Sequence, residues 1–186
     1  VPAVMGLLSA GSRAVREIAD SYGKDIRIVL HYTNIEDNEE VDTMAANLKE
    51  YGVDYDIFGL SYYPFWDGTN ENMQNVAKNI MDRYGKKVVI AETSYCYTEK
   101  DGDGFGNSFD GIEDAVDGYA PTVQSQATMI RDICAAANEV GVLGVFYWEG
   151  TWIPVGSEDQ DNSALWEKYG SGWASSYSAE YDPDDA

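Results

Sequence analysis

Four times along this chain an amphipathic helical stretch stops at a glycine and an apolar run follows, and this repeat restricts the fold more than any other feature. The first helical stretch is Leu7 to Tyr22, with Ala14, Val15, Ile18 and Ala19 on one face, then Gly23 and the run Ile26 to His31. The second is Glu40 to Tyr51, carrying Val41, Met44, Ala45 and Leu48, then Gly52 and the run Tyr55 to Tyr63. The third is Glu71 to Tyr84, carrying Met73, Val76, Ala77, Ile80 and Met81, then Gly85 and the run Lys87 to Ala91. The fourth opens at Pro121 with the stripe Val123, Ala127, Ile130, Cys134 and Ala137, then Gly141 and the run Val142 to Glu149. These apolar spacings follow the helical period, and glycine past the last turn supplies a left-handed residue at low cost. Strands alternating with helices predict right-handed crossovers and a parallel sheet, hence an α/β fold.

The ends of those strands choose between two α/β architectures. A dinucleotide-binding sheet needs a glycine-rich turn directly between a strand and a helix. Gly102, Gly104 and Gly106 lie far from any helix start. The strand ends carry His31, then Ser61 with Tyr62 and Tyr63, then Glu92, then Trp148 with Glu149. Polar and aromatic groups at the same end of successive parallel strands match the catalytic face of a (β/α)8 TIM barrel. A typical barrel needs about 250 residues. A chain of 186 residues with four units is therefore expected to supply about half of one. It opens on Val1-Pro2 as though within an element, which fits a fragment or processed piece. Residues 1–186 are read as a single domain, with a small, polar, acidic tail from about 170 to 186.

Charge narrows the partners. Lys and Arg number 12 against 33 Asp and Glu, a formal net charge of -21. Nucleic acid and anionic membrane surfaces both require cationic patches, so neither is expected. A neutral substrate and a bound cation remain open. Cys96 and Cys134 stand on different elements with no CxxC spacing, so no zinc site or disulfide framework is signalled.

The chemistry centres on Val88-Val89-Ile90-Ala91-Glu92, a buried-type strand that runs into a carboxylate. Glycoside cleavage with retention needs a second carboxylic acid about 5–5.5 Å away. Glu149 is the other strand-end carboxylate, but strand alternation sends it to the opposite side from Trp148. The connection from Tyr95 to Ala120 is long for its kind, and such loops are usually functional or disordered. Within it Asp101, Asp103 and Asn107 stand at alternate positions, like the first half of a calcium loop, where alternate side chains and one backbone carbonyl converge on the ion. The terminal Glu of an EF-hand is missing.

Taken together, Tyr55 to Trp66, Val88 to Tyr95, and Gly144 to Glu149 followed by Trp152-Ile153-Pro154 resemble glycoside hydrolase family 53, the endo-β-1,4-galactanases. Gly11 to Glu17, His31 to Asn34 and Tyr119 to Ile133 add to the resemblance, which covers nearly the whole chain. It implies a (β/α)8 barrel in which the four strands here are strands five to eight. It implies retaining hydrolysis of β-1,4-galactan, with Glu92 as nucleophile. The family's acid/base Glu follows an Asn on strand four, and no Asn-Glu pair precedes the first helix here, so that residue is expected outside the chain. The resemblance further implies that Tyr62 or Tyr63 bonds the nucleophile and that Trp148 floors the subsite of the cleaved sugar. It makes His31, Ser61 and Trp66 sugar-contact candidates and matches the calcium loop to Asp101, Asp103, Phe105 and Asn107. A structural calcium ion, a bacterial extracellular or cell-surface setting, and pairing with a missing N-terminal half-barrel or a second copy complete the expectations. The alternatives are another retaining β-glycanase of the same clan and a non-catalytic polysaccharide-binding half-barrel.

Overall fold

In the structure, a computed structural model, residues 1–100, 109, 111–148, 150, 164 and 168 are described. The element order is α1 (Pro2–Tyr22), β1 (Val29–Tyr32), α2 (Asn38–Glu50), β2 (Ile57–Ser61), α3 (Asn70–Tyr84), β3 (Lys87–Glu92), a 3₁₀ turn (Ile112–Asp114) and α4 (Val123–Val140). The chain divides into two compact units. One holds residues 1–93 with 132–146, and the other holds 94–131 with 147–186.

The first unit carries the sheet. Its strands run in the order β1-β2-β3, every pairing parallel. Residues 143–146 add a fourth paired segment beside β3. Leu143 N–H donates to Val88 O at 2.8 Å, Phe146 N–H to Ile90 O at 2.9 Å, and Thr93 N–H to Phe146 O at 3.1 Å. The expected strand from Val142 to Glu149 is thus realised as a short ladder around one bridge, Ile90 with Val145. The strand expected from Ile26 also starts later, at Val29. The Asp56 carboxylate takes the Ile28 N–H at 2.7 Å and so withholds it from the ladder, although Ile28 O still accepts from Ile57 N–H at 3.1 Å.

The helices begin and end where local chemistry directs. The Asp37 side chain caps α2 through Glu40 N–H, and Thr69 caps α3 through Asn72 N–H. Gly23 and Gly85 close α1 and α3 in left-handed conformations. Val41, Ala45 and Leu48 of α2 and Met73, Val76, Ala77 and Ile80 of α3 are buried. They form a core with Phe58, Leu60, Val88 and Ile90 from the strands. That leaves the other strand face, with Gly59 and Ser61, for the site.

The stripe predicted on α4 is displaced. Met129, Ile133 and Ala137 are its buried residues, while Val123, Ala127 and Cys134 are exposed. Apolar residues cover so much of this helix that two stripes satisfy the period. On α1 the buried positions are Met5, Ser12 and Ala19, seven residues apart, whereas Ala14 and Ile18 face outward. Among the described residues no helix is long and apolar enough to cross a membrane.

The second unit is organised by Tyr95, which is fully buried. Its hydroxyl donates to Tyr119 O at 2.5 Å and accepts from Val116 N–H at 3.1 Å. Its carbonyl accepts from the Gln126 side chain at 2.7 Å. The return of the long connection is therefore tied to its start.

Candidate active site

β2 and β3 deliver the site through a break in regular pairing. The register runs from Ile57 with Lys87 to Leu60 with Ile90, then shifts so that Ser61 pairs with Glu92. Strict alternation would place Ala91 beside Ser61 and send Glu92 to the helix side. An extra residue in one strand re-aims the next side chain. Here it turns the Glu92 carboxylate onto the face shared by Gly59, Ser61 and Tyr63.

Three side chains meet that carboxylate. The Tyr63 hydroxyl donates to Glu92 Oε2 at 3.0 Å, and the Ser61 hydroxyl donates to the same oxygen at 3.1 Å. His31 Nε2 lies 2.8 Å from Ser61 Oγ, and His31 Nδ1 lies 3.6 Å from Glu92 Oε1. With Ser61 donating to Glu92, its oxygen accepts from His31, which requires the proton on Nε2. A chain of donors thus runs from the end of β1 through β2 to β3. Two hydroxyls on one oxygen fix the carboxylate's rotamer.

The choice between the adjacent tyrosines is resolved. Tyr62 is fully buried, its hydroxyl 2.9 Å from Gly68 O and 3.1 Å from Asn70 Oδ1. As a substrate contact Tyr62 is corrected, because it shares the parity of Phe58 and Leu60 and faces the helices. Tyr63 shares the parity of Gly59 and Ser61. That contrast between large apolar and small or polar residues is visible in the sequence and could have singled out Tyr63. Trp66 is 56% exposed and packs edge-on against Tyr63, ring centroids 5.5 Å apart. Ser61 is buried and engaged between His31 and Glu92. Trp148 belongs to the second unit and is 41% exposed. Asp101, Asp103, Phe105, Asn107 and Glu149 lie outside the described residues, and no cluster of three metal-ligating side chains occurs among the described ones.

Sequence reading missed Asp67. It is 5% exposed, and its Oδ2 accepts the Tyr63 N–H at 2.6 Å while its own N–H donates to Tyr63 O at 2.7 Å. Burial first, then a hydrogen bond and like charge from Glu36, push its carboxyl up to about 7, against the lowering effect of the Tyr63 N–H. In the sequence Asp67 stands between Trp66 and Gly68, where an Asp reads as an ordinary turn residue.

Parallel strands alternating with helices, with a hydrogen-bonded carboxylate at the strands' carboxyl ends, place the chain among α/β proteins whose site lies on the strand-end face. Comparison with known proteins gives the particular family. Residues 1–183 match the profile described as glycosyl hydrolase family 53, and the chain belongs to that family. It is 50% identical over 184 residues to an endo-beta-1,4-galactanase of Bacillus subtilis, covering 97% of this chain and 42% of that protein. It is 34% identical over 170 residues to an arabinogalactan endo-beta-1,4-galactanase of Cellvibrio japonicus, covering 90% and 42%. Among solved structures, the GH53 catalytic domain of Ignisphaera aggregans superposes with a TM-score of 0.72 at 37% identity, over 80% of this chain and 41% of that one. The chain thus spans about two-fifths of the length of the relatives it matches.

Proposed function

We propose that residues 1–186 carry the nucleophile side of a retaining endo-β-1,4-galactanase, with Glu92 as the nucleophile. The observation that carries this reading is the Glu92 carboxylate, bonded by Tyr63 and Ser61 at a strand end. Support for the substrate comes from relatives named as galactanases. In the proposed reaction the ionised Glu92 attacks the anomeric carbon, while a carboxylic acid from elsewhere in the full-length protein protonates the leaving oxygen. The same acid, now a carboxylate, takes a proton from water, which releases the sugar from Glu92. Tyr63 and Ser61 hold the attacking oxygens in line, and His31 orients Ser61. Trp66 and Trp148 are proposed as apolar platforms for sugar rings.

The test uses the full-length protein on galactan, mannan, xylan and cellulose. Galactan is expected as the preferred substrate, with the first product in the β configuration by proton NMR. Glu92→Gln is expected to lower kcat by at least about 10³-fold while leaving thermal unfolding unchanged. Preference for another glycan would reassign the substrate, and an active Glu92→Gln protein would move the nucleophile elsewhere. Calcium binding by Asp101, Asp103, Phe105 and Asn107 is part of the proposal, supported by their spacing. A calcium-dependent rise in Tm, reversed by chelator and absent in Asp101→Ala/Asp103→Ala, tests it. An extracellular setting is proposed with it, since the substrate is a polymer.

A further inference from the structure

We propose that Gln126 is a positioning residue: its side-chain amide, bonded to Tyr95 O and the Tyr147 hydroxyl, pins the turn that presents Trp148 to a sugar. This rests on the reading of Trp148 as a sugar platform. All four residues belong to the second unit. Gln126 Nε2 lies 2.7 Å from Tyr95 O and 3.1 Å from Tyr147 Oη, and the Tyr147 hydroxyl lies 3.3 Å from Tyr95 O. A carbonyl oxygen only accepts, so the end of the amide that faces Tyr95 O is the NH2 group. Its two protons serve Tyr95 O and Tyr147 Oη, and the Tyr147 proton serves the second lone pair of Tyr95 O. The three groups close a ring in which every donor has an acceptor. Burial raises the Tyr147 phenol above its ordinary range, so it remains a donor at neutral pH.

Two corners of the ring are held by other means. Tyr95 is fully buried, with its hydroxyl tied to Tyr119 O and Val116 N–H. Gln126 stands in the first turn of α4, where Thr122 takes the Ser125 N–H on its side chain at 3.1 Å and the Gln126 N–H on its carbonyl at 2.9 Å. Tyr147 is the movable corner, 37% exposed and outside any helix or strand. Its ring is met by the backbone of Gly150, where an added Cβ would lie 3.1 Å from Tyr147 Cδ1 and 3.5 Å from Cε1. The chain therefore doubles back onto the Tyr147 ring between residues 147 and 150, and Trp148 lies within that turn. The Gln126 amide grips the turn at the Tyr147 hydroxyl, while Gly150 lets it close over the ring. Trp148 itself is half-exposed. A flat aromatic face serves a sugar only in a fixed orientation, and small misplacements are costly. Gln124 on the exposed side of α4 bonds Thr128 Oγ1 at 3.2 Å and supplies a control on the same helix.

The test uses the full-length protein labelled with 5-fluorotryptophan, the Trp148 fluorine resonance being assigned through Trp148→Phe. Gln126→Met keeps the length of the side chain and removes its donors, and it should shift or broaden that resonance. Tyr147→Phe and Gly150→Ala disturb the same turn from its two sides and should move the resonance as well. Gln124→Met should leave it in place. On galactan, Gln126→Met should lower kcat/KM by about tenfold. In a Trp148→Ala background the same substitution should have no further effect, whereas a general loss of stability would carry over. A Trp148 resonance indifferent to Gln126→Met, or a tenfold loss that persists in the Trp148→Ala background, would overturn the proposal. If Trp148→Ala alone leaves kcat/KM unchanged, or if galactan is not cleaved at all, the proposed function fails instead, and the fluorine shifts still decide whether Gln126 sets the turn.

Discussion

At the scale of single residues, Tyr63 is the donor whose removal is most informative. A hydrogen bond to a charged group contributes about 1.5–3 kcal/mol. If Tyr63 holds Glu92 in its attacking rotamer, Tyr63→Phe should lower kcat by roughly 10–150-fold, the rate equivalent of that energy. KM should change little, because the phenol serves the carboxylate and not the sugar. Steady-state kinetics on galactan check this, and an unchanged kcat would remove Tyr63 from the mechanism. Tyr62→Phe is the matched control: its hydroxyl serves Gly68 and Asn70, so its effect should appear in Tm first. Glu92 was legible in the sequence because a Val/Ile run ends on it. The Ser61 contact was not, since it depends on a register shift that neither Gly nor Pro announces between Leu60 and Ser61. Asp67 was hidden for a similar reason: the Asn72 amide ties its turn to the loop after β1 through Ile35 O, which is distant in sequence.

At the scale of elements, β2 tolerates little at its centre. A Cβ on Gly59 would meet Val29 Cγ1 at 3.0 Å, the His31 Cα at 3.3 Å and Ala91 Cβ at 3.4 Å. The Val29 tip can turn aside, but the His31 backbone is fixed by the ladder with β2. Gly59→Ala should therefore push β1 outward, cost about 1–3 kcal/mol of stability, and lower kcat by displacing His31 from Ser61. Denaturant unfolding and kinetics together check it, and a stability loss without a kinetic one would separate His31 from the site. At the other end of the strands, Asp56 binds β1 to β2. The Ile28 N–H, ahead of the Arg16 guanidinium, holds its carboxyl below the usual range in spite of partial burial. A depressed folded pKa gives stability that is present above the unfolded value of about 3.9 and is lost as pH falls through the folded value. Asp56→Asn should flatten the fall of Tm below about pH 4. An acid limb identical to that of the wild type would assign it to other carboxylates. The order of elements was legible from glycine stops and helical periods. The α4 face was not, because its apolar residues satisfy two stripes.

At the scale of the molecule, apolar exposure and net charge oppose each other. On α1, Val4, Leu7 and Ile18 are 49%, 75% and 55% exposed, and they recur close to the helical period. β1 is an edge strand among the described residues, with Val29 exposed on it. Edge strands and contiguous apolar patches favour association. The formal charge of -21 resists it. Screening decides between them. The Debye length is about 8 Å at physiological ionic strength, so repulsion between two copies fades close to contact distance while the gain from apolar burial remains. The 186-residue chain should therefore be mostly monomeric at about 0.02 M salt and associate at about 0.5 M, where the Debye length shrinks to a few ångströms. Leu7→Glu with Ile18→Lys, both on exposed α1 positions, should restore the monomer at high salt. Sedimentation velocity at the two ionic strengths measures this directly. A chain that stays monomeric at high salt would mean that the exposed stripe on α1 and the β1 edge have no role in assembly.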